Sequence, residues 1–143
     1  MEQQDRQKFA MYSPLTLAYV GDGIYEILVR TYLVQQENLP VNKLHRRAKG
    51  FVAACSQSAY MEYLLPLLTE EEEGVYKRGR NAKSHTTAKN MTLADYKRAT
   101  GMEALFGYLH LTGQKERIEE LFSVVCSHYE EVAAHLEQGE HKE

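Results

Sequence analysis

The amino-acid sequence predicts an all-α domain of six or seven helices. Apolar residues recur at intervals of three and four along most of the chain, and capping residues stand at the head of several of these runs. Almost nothing alternates with the period of two that marks a strand. The 143 residues suit one domain, and no repeat or linker divides them. The expected layout is a flexible N-terminus over 1–12, a folded domain over 13–138 and a disordered tail over 139–143.

Each element has a local reason. Ser13 and Pro14 make a cap and first-turn pair that opens a long helix to about Gln36. Its apolar residues cover more than one face, which predicts a central position. Pro40 breaks the chain, and Asn42 is suited to cap a short helix ending near Gly50. A further helix is expected from about Ala53 to Leu65. Thr69 and the glutamates at 70–73 start the next one, with the acids at the positive end of its dipole, and it should end near Arg80. Thr92 caps a helix to about Leu111, and Thr112 with Gly113 turns the chain into a last helix. There Ile118, Leu121, Phe122, Val125, Tyr129, Val132 and Leu136 keep a 3.6-residue rhythm, and the tail after Gln138 should fray.

Composition narrows the function classes. The chain is 43% hydrophobic and 26% charged, with three prolines and nine glycines, as an ordinary globular protein is. No apolar run approaches the roughly 20 residues of a membrane span, and the start MEQQDRQKFAMY lacks the order of a signal peptide. The expectation is a cytoplasmic protein with no membrane partner. Cys55 and Cys126 lack metal-ligand spacing and are read as small buried hydrophobes. Net charge is −3, yet residues 77–90 read KRGRNAKSHTTAKN without one acid, and Lys43, Arg46, Arg47 and Lys49 form a second basic cluster. A polyanion could meet that positive face while the molecule as a whole stays acidic. Solvated surface is the plainer reading of the cluster at 43–49. In 77–90, Gly, Asn, Ser and Thr add small donors suited to phosphate oxygens.

Two acids sit in helical, largely apolar surroundings: Asp22 within LAYVGDGIYEILVR (17–30) and Glu103 within ATGMEALFGYLHL (99–111). An ionised carboxylate there must be desolvated unless an arginine, a backbone amide or a metal ion compensates it. Two such acids in similar Gly-flanked helices point toward the metal. Glu26, one turn after Asp22, could approach it through water or simply face solvent.

These stretches resemble the ribonuclease III family. LAYVGDGIYEILVR is similar to the signature helix of its catalytic domain, and ATGMEALFGYLHL resembles the second motif with its Glu-Ala-Leu-x-Gly core. Between them, LHRRAKGFVAACSQS and KRGRNAKSHTTAKN resemble the Mini-ribonuclease III branch, which carries no separate double-stranded-RNA-binding domain. The resemblance covers roughly residues 12–130. It implies that Asp22 and Glu103 are catalytic metal ligands for Mg²⁺, with Mn²⁺ as a substitute. Longer relatives place further acids where this chain has Leu15, Ala18 and Thr100, so the carboxylate set here is thinner. A Mg²⁺ ion that keeps most of its waters suits two protein ligands.

The implied activity is metal-dependent endonucleolytic hydrolysis of double-stranded RNA, leaving 5′-phosphate and 3′-hydroxyl ends. The implied substrate is the base-paired ends of precursor 23S ribosomal RNA, in rRNA processing and ribosome biogenesis, with room for a ribosomal-protein helper. Lys77, Arg78, Arg80, Asn81, Lys83, Ser84, His85, Thr86 and Lys89 are the candidate RNA-binding residues, since a duplex is read by shape and phosphates. Each chain has one site and a duplex has two strands, so a two-fold homodimer is expected, with Tyr19 and Val20 as candidate contacts or else ordinary core. Two other classes stay open. One is a non-catalytic module that binds structured or ribosomal RNA; the other is a helical protein-interaction platform.

Overall fold

The computed structural model describes residues 3–83 and 91–141. Eight α-helices follow one another, and no strand occurs among the described residues: α1 (Gln3–Ala10), α2 (Pro14–Gln36), α3 (Val41–Val52), α4 (Ala54–Leu64), α5 (Glu70–Arg80), α6 (Leu93–Leu111), α7 (Lys115–Ser127) and α8 (Tyr129–His141). A 3₁₀ turn at Leu65–Leu67 follows α4. None of these helices is long and apolar enough to cross a membrane.

Helices α2 and α6 lie at the centre, antiparallel, because Gly21 backs onto Glu103 while Gly107 backs onto Leu17. Around them Tyr25, Val29, Leu33, Met61, Leu64, Met102, Leu105, Leu109, Ile118 and Val125 form one buried core. The end of α3 is tied into it by two phenols. Tyr25 Oη donates to the Phe51 carbonyl and Tyr60 Oη to the Gly50 carbonyl, each at 2.8 Å. Those last-turn carbonyls have no partner within the helix, so the bonds satisfy donor and acceptor together.

The caps at Thr69 and Thr92 form as expected. Thr69 Oγ1 accepts from the Glu72 amide at 3.2 Å, and the Glu72 carboxylate accepts from the Thr69 amide at 2.9 Å. Thr92 Oγ1 accepts from the Asp95 amide at 3.1 Å. Glu72, only 4% exposed, also accepts from Arg117 at 2.8 Å, which joins the start of α5 to α7. Burial would raise the Glu72 carboxyl, but its bonds from Arg117 and Thr69 outweigh that and hold it below the usual carboxylate range.

Several expectations are corrected. Helix α1, which the sequence reading did not foresee, ends in a carbonyl, at Ala10, that accepts from Arg78; Arg78 also donates to the Tyr12 carbonyl at 3.2 Å. Asn42 does not cap α3: the helix begins at Val41, and the Asn42 side chain accepts only from the adjacent Lys43 amide. The expected last helix is two, α7 and α8, broken at His128. The apolar rhythm bridges the break because Tyr129 and Val132 still face inward, with Tyr129 stacked on Phe51 at 4.5 Å. Cys55 is exposed, contrary to expectation, while Cys126 is half-buried with its thiol pushed up to about 12 by burial.

Candidate functional site

The site is made where α2 and α6 touch backbone to backbone. A Cβ added at Gly21 would lie 1.6 Å from the Glu103 carbonyl oxygen, and one at Gly107 would lie 1.9 Å from the Leu17 carbonyl oxygen. No residue larger than glycine fits this crossing, and the crossing sets Asp22, next to Gly21, beside Glu103. The Asp22 carboxyl lies close enough to act on Glu103. Two carboxyls in contact cannot both ionise without a cation between them. Glu103 is pushed up to about 8, first by burial and then by Asp22.

The two acids are not equivalent. Glu103 is half-buried, whereas Asp22 is exposed. Apolar neighbours in sequence suggest a desolvated Asp22, but at 3.6 residues per turn they point to other faces of α2. No arginine, lysine or histidine among the described residues forms an ion pair with either acid. Compensation by an arginine, one of the readings open from sequence, is therefore not what these residues provide. Glu26 is occupied by Arg30 at 2.7 Å on the open surface. At the position where longer relatives carry a further acid, Thr100 donates to the Tyr96 carbonyl at 3.0 Å. Among the described residues no group of three or more His, Cys, Asp or Glu gathers as a metal site. Two adjacent carboxyls still fit a hydrated divalent ion that takes its remaining ligands from water and phosphate.

The basic candidates divide. Lys77, Arg78 and Arg80 belong to the last turns of α5 rather than to a loop. Arg78 is taken up by the carbonyls of Ala10 and Tyr12, so its guanidinium serves the N-terminal helix. Lys77 forms an exposed pair with Glu73 at 3.1 Å. Arg80 donates to Asn81 Oδ1 at 3.2 Å and lies over the Tyr76 ring, 5.8 Å from its centroid. Asn81 and Lys83 are exposed, and Ser84, His85, Thr86 and Lys89 lie outside the described residues. One cation escaped the sequence reading because it stands in neither basic run. Arg98, exposed on α6, donates to Ser58 Oγ on α4 at 3.3 Å.

Tyr19 is 83% exposed and so is not core, while Val20 is half-buried. Leu15, Tyr19 and Ile27 are all exposed and fall at steps of four with Gly23 between them, which draws an apolar stripe along the outside of α2.

Comparisons with known proteins place the chain in a family. The profile of the Ribonuclease III domain family matches residues 15–114, which spans both acids. A Mini-ribonuclease 3 from Enterococcus faecalis is 58% identical over 111 residues, covering 76% of this chain and 84% of that protein. A Mini-ribonuclease 3 from Clostridium tetani is 45% identical over 131 residues, covering 91% and 87%. A crystal structure of a Fusobacterium nucleatum protein superposes with a TM-score of 0.75 at 32% identity, covering 80% of this chain and 93% of that one.

Proposed function

The chain belongs to the ribonuclease III domain family, and from that membership we propose that it is a divalent-metal-dependent endoribonuclease that cuts double-stranded RNA. The observation that carries this reading is the pair Asp22 and Glu103, set side by side at a two-glycine helix crossing with no cationic side chain among the described residues paired to either. Such a pair is poorly suited to stability alone and well suited to holding Mg²⁺, or Mn²⁺ in its place. A bound divalent ion supplies a water of lowered pKa and offsets charge on the scissile phosphate, which favours hydrolysis to 5′-phosphate and 3′-hydroxyl ends.

The chain's own residues account for the rest. Glu103 and Asp22 would hold the ion, Glu103 from the buried side of the site and Asp22 from its exposed side, where a phosphate can approach. Lys77, Arg80 and Lys83, with the candidates at 84, 85, 86 and 89, supply backbone contacts that carry no base sequence. The α2 stripe through Tyr19, with Val20 beside it, is the contact for a second copy, so that two sites address the two strands. The natural substrate in this reading is the base-paired ends of precursor 23S ribosomal RNA, matured in the cytoplasm.

The test is incubation of the purified protein with a labelled RNA duplex in Mg²⁺ or in EDTA, beside Glu103→Gln and Asp22→Asn. Cleavage that requires the metal and is lost in both variants is expected. Cleavage by either variant at the wild-type rate would remove the metal-ligand assignment. Tight binding without cleavage would point instead to a non-catalytic RNA-binding module.

A further inference from the structure

We propose that Arg98 contacts a backbone phosphate of duplex RNA, acting with Arg80 where α4, α5 and α6 meet; this rests on the reading of the chain as an enzyme of double-stranded RNA. A second glycine pair creates the meeting point. A Cβ at Gly79 would lie 2.9 Å from the Gly101 Cα, and one at Gly101 would lie 2.7 Å from the Tyr76 ring. The last turn of α5 is thereby pressed against the first half of α6. Arg80 follows Gly79, and Arg98 precedes Gly101 by one turn.

Tyr76 lies at this junction, against Gly101. Its side chain is buried, with the Arg80 guanidinium over its ring at 5.8 Å. Burial raises the Tyr76 hydroxyl, and the charges of Arg80 and Arg98 pull it back. Glu62 is also close enough to act on it, in the opposite sense. Even so, neither Arg80 nor Arg98 forms an ion pair with an acid among the described residues.

The surroundings of Arg98 direct it rather than consume it. Its one bond to Ser58 Oγ, at 3.3 Å, is long and engages one of five donors, leaving the rest of the fork for a phosphate. Ser58 itself is buried, so the anchor is fixed on α4 while the guanidinium stays at the surface. Arg80, half-exposed, is the last residue of α5, and Arg98, exposed, is the sixth of α6.

Arg98 is a binding residue in this scheme, not a catalytic one. It precedes Glu103 by five residues on α6, roughly 7.5 Å along the axis, and points to a different side of the helix. Its phosphate is accordingly not the scissile one. Losing it should weaken association and leave the chemical step untouched.

The experiment measures binding of a fluorescent RNA duplex across a series of salt concentrations, in EDTA, for wild type, Arg98→Ala, Arg98→Gln and Arg98→Lys. Expected for Ala and Gln are a Kd about tenfold weaker at low salt and a plot of log Kd against log salt shallower by about one. Arg98→Lys should keep the wild-type slope, since it keeps the charge. Single-turnover cleavage at saturating enzyme should stay within twofold of wild type. Arg98→Gln serves where Arg98→Ala melts early, because it keeps the stem and a donor toward Ser58. Wild-type Kd and slope in both neutral variants would overturn the inference while leaving the proposed function standing. Failure of the wild-type protein to bind duplex at any salt would overturn both.

Discussion

Glu103 gives the metal-free protein an unusual pH response. Its carboxyl is pushed up to about 8, chiefly by burial and then by Asp22, so the folded state holds that proton more tightly than the unfolded chain does. Stability from this group is greatest below the ordinary carboxylate range and falls as pH rises toward about 8. In EDTA, the melting temperature should decline across that window, and Glu103→Gln should flatten the decline. Mg²⁺ should restore stability most at the upper end, where it no longer competes with a proton. Thermal melts at several pH values with and without metal decide this, and an equal slope in Glu103→Gln would remove the raised Glu103 carboxyl as the cause. Glu72 has the opposite sense: held low, it stabilises above the ordinary range, and that contribution is lost as pH falls through its folded value. Both acids of the site were legible in the sequence as charges among apolar residues. Their inequality was not, because whether Asp22 faces solvent depends on where α6 crosses α2.

At the scale of elements, the decisive contact is the glycine crossing. Gly107→Ala would drive a Cβ to 1.9 Å from the Leu17 carbonyl oxygen, and backbone cannot yield as a flexible side chain does. The helices must separate, at a cost of at least about 1–3 kcal/mol, and Asp22 must leave Glu103. Gly74→Ala is the matched control, on α5 with nothing within 4 Å, and should stabilise by about 0.5–1 kcal/mol through helix propensity. Urea unfolding of the two variants checks the signs, and duplex cleavage should survive only in Gly74→Ala. The elements that sequence revealed are those fixed by local chemistry: the Thr69 and Thr92 caps, and Pro14 at the start of α2. Those it hid depend on distant partners. Helix α1 has no apolar period of its own and is held at its end by Arg78, 68 residues away. The α7–α8 break at His128 leaves the apolar rhythm intact, so periodicity alone could not report it.

At the scale of the whole molecule, one acid pair per chain meets a substrate with two strands, and the α2 stripe is the surface suited to bringing a second chain. Leu15, Tyr19 and Ile27 are 40%, 83% and 58% exposed, and Gly23 between them leaves open space above its Cα. A stripe of that kind on a long central helix is costly to leave in water and can approach a copy of itself closely. Because Tyr19 is not buried in its own chain, Tyr19→Glu should leave the monomer folded while placing like charges across a two-fold contact. Light scattering should then report a monomer where wild type is a dimer, with an unchanged helical circular dichroism spectrum. The wild-type melting temperature should rise with protein concentration, and that of the variant should not. Cleavage of duplex should fall at least about tenfold through the lost second site and its share of phosphate contacts. A Tyr19→Glu protein that stays dimeric and cuts at the wild-type rate would place the subunit contact elsewhere. Asp22 is three residues from Tyr19, less than one turn of the same helix, so a subunit contact at Tyr19 would be coupled mechanically to the site, and weakening that contact should be felt there.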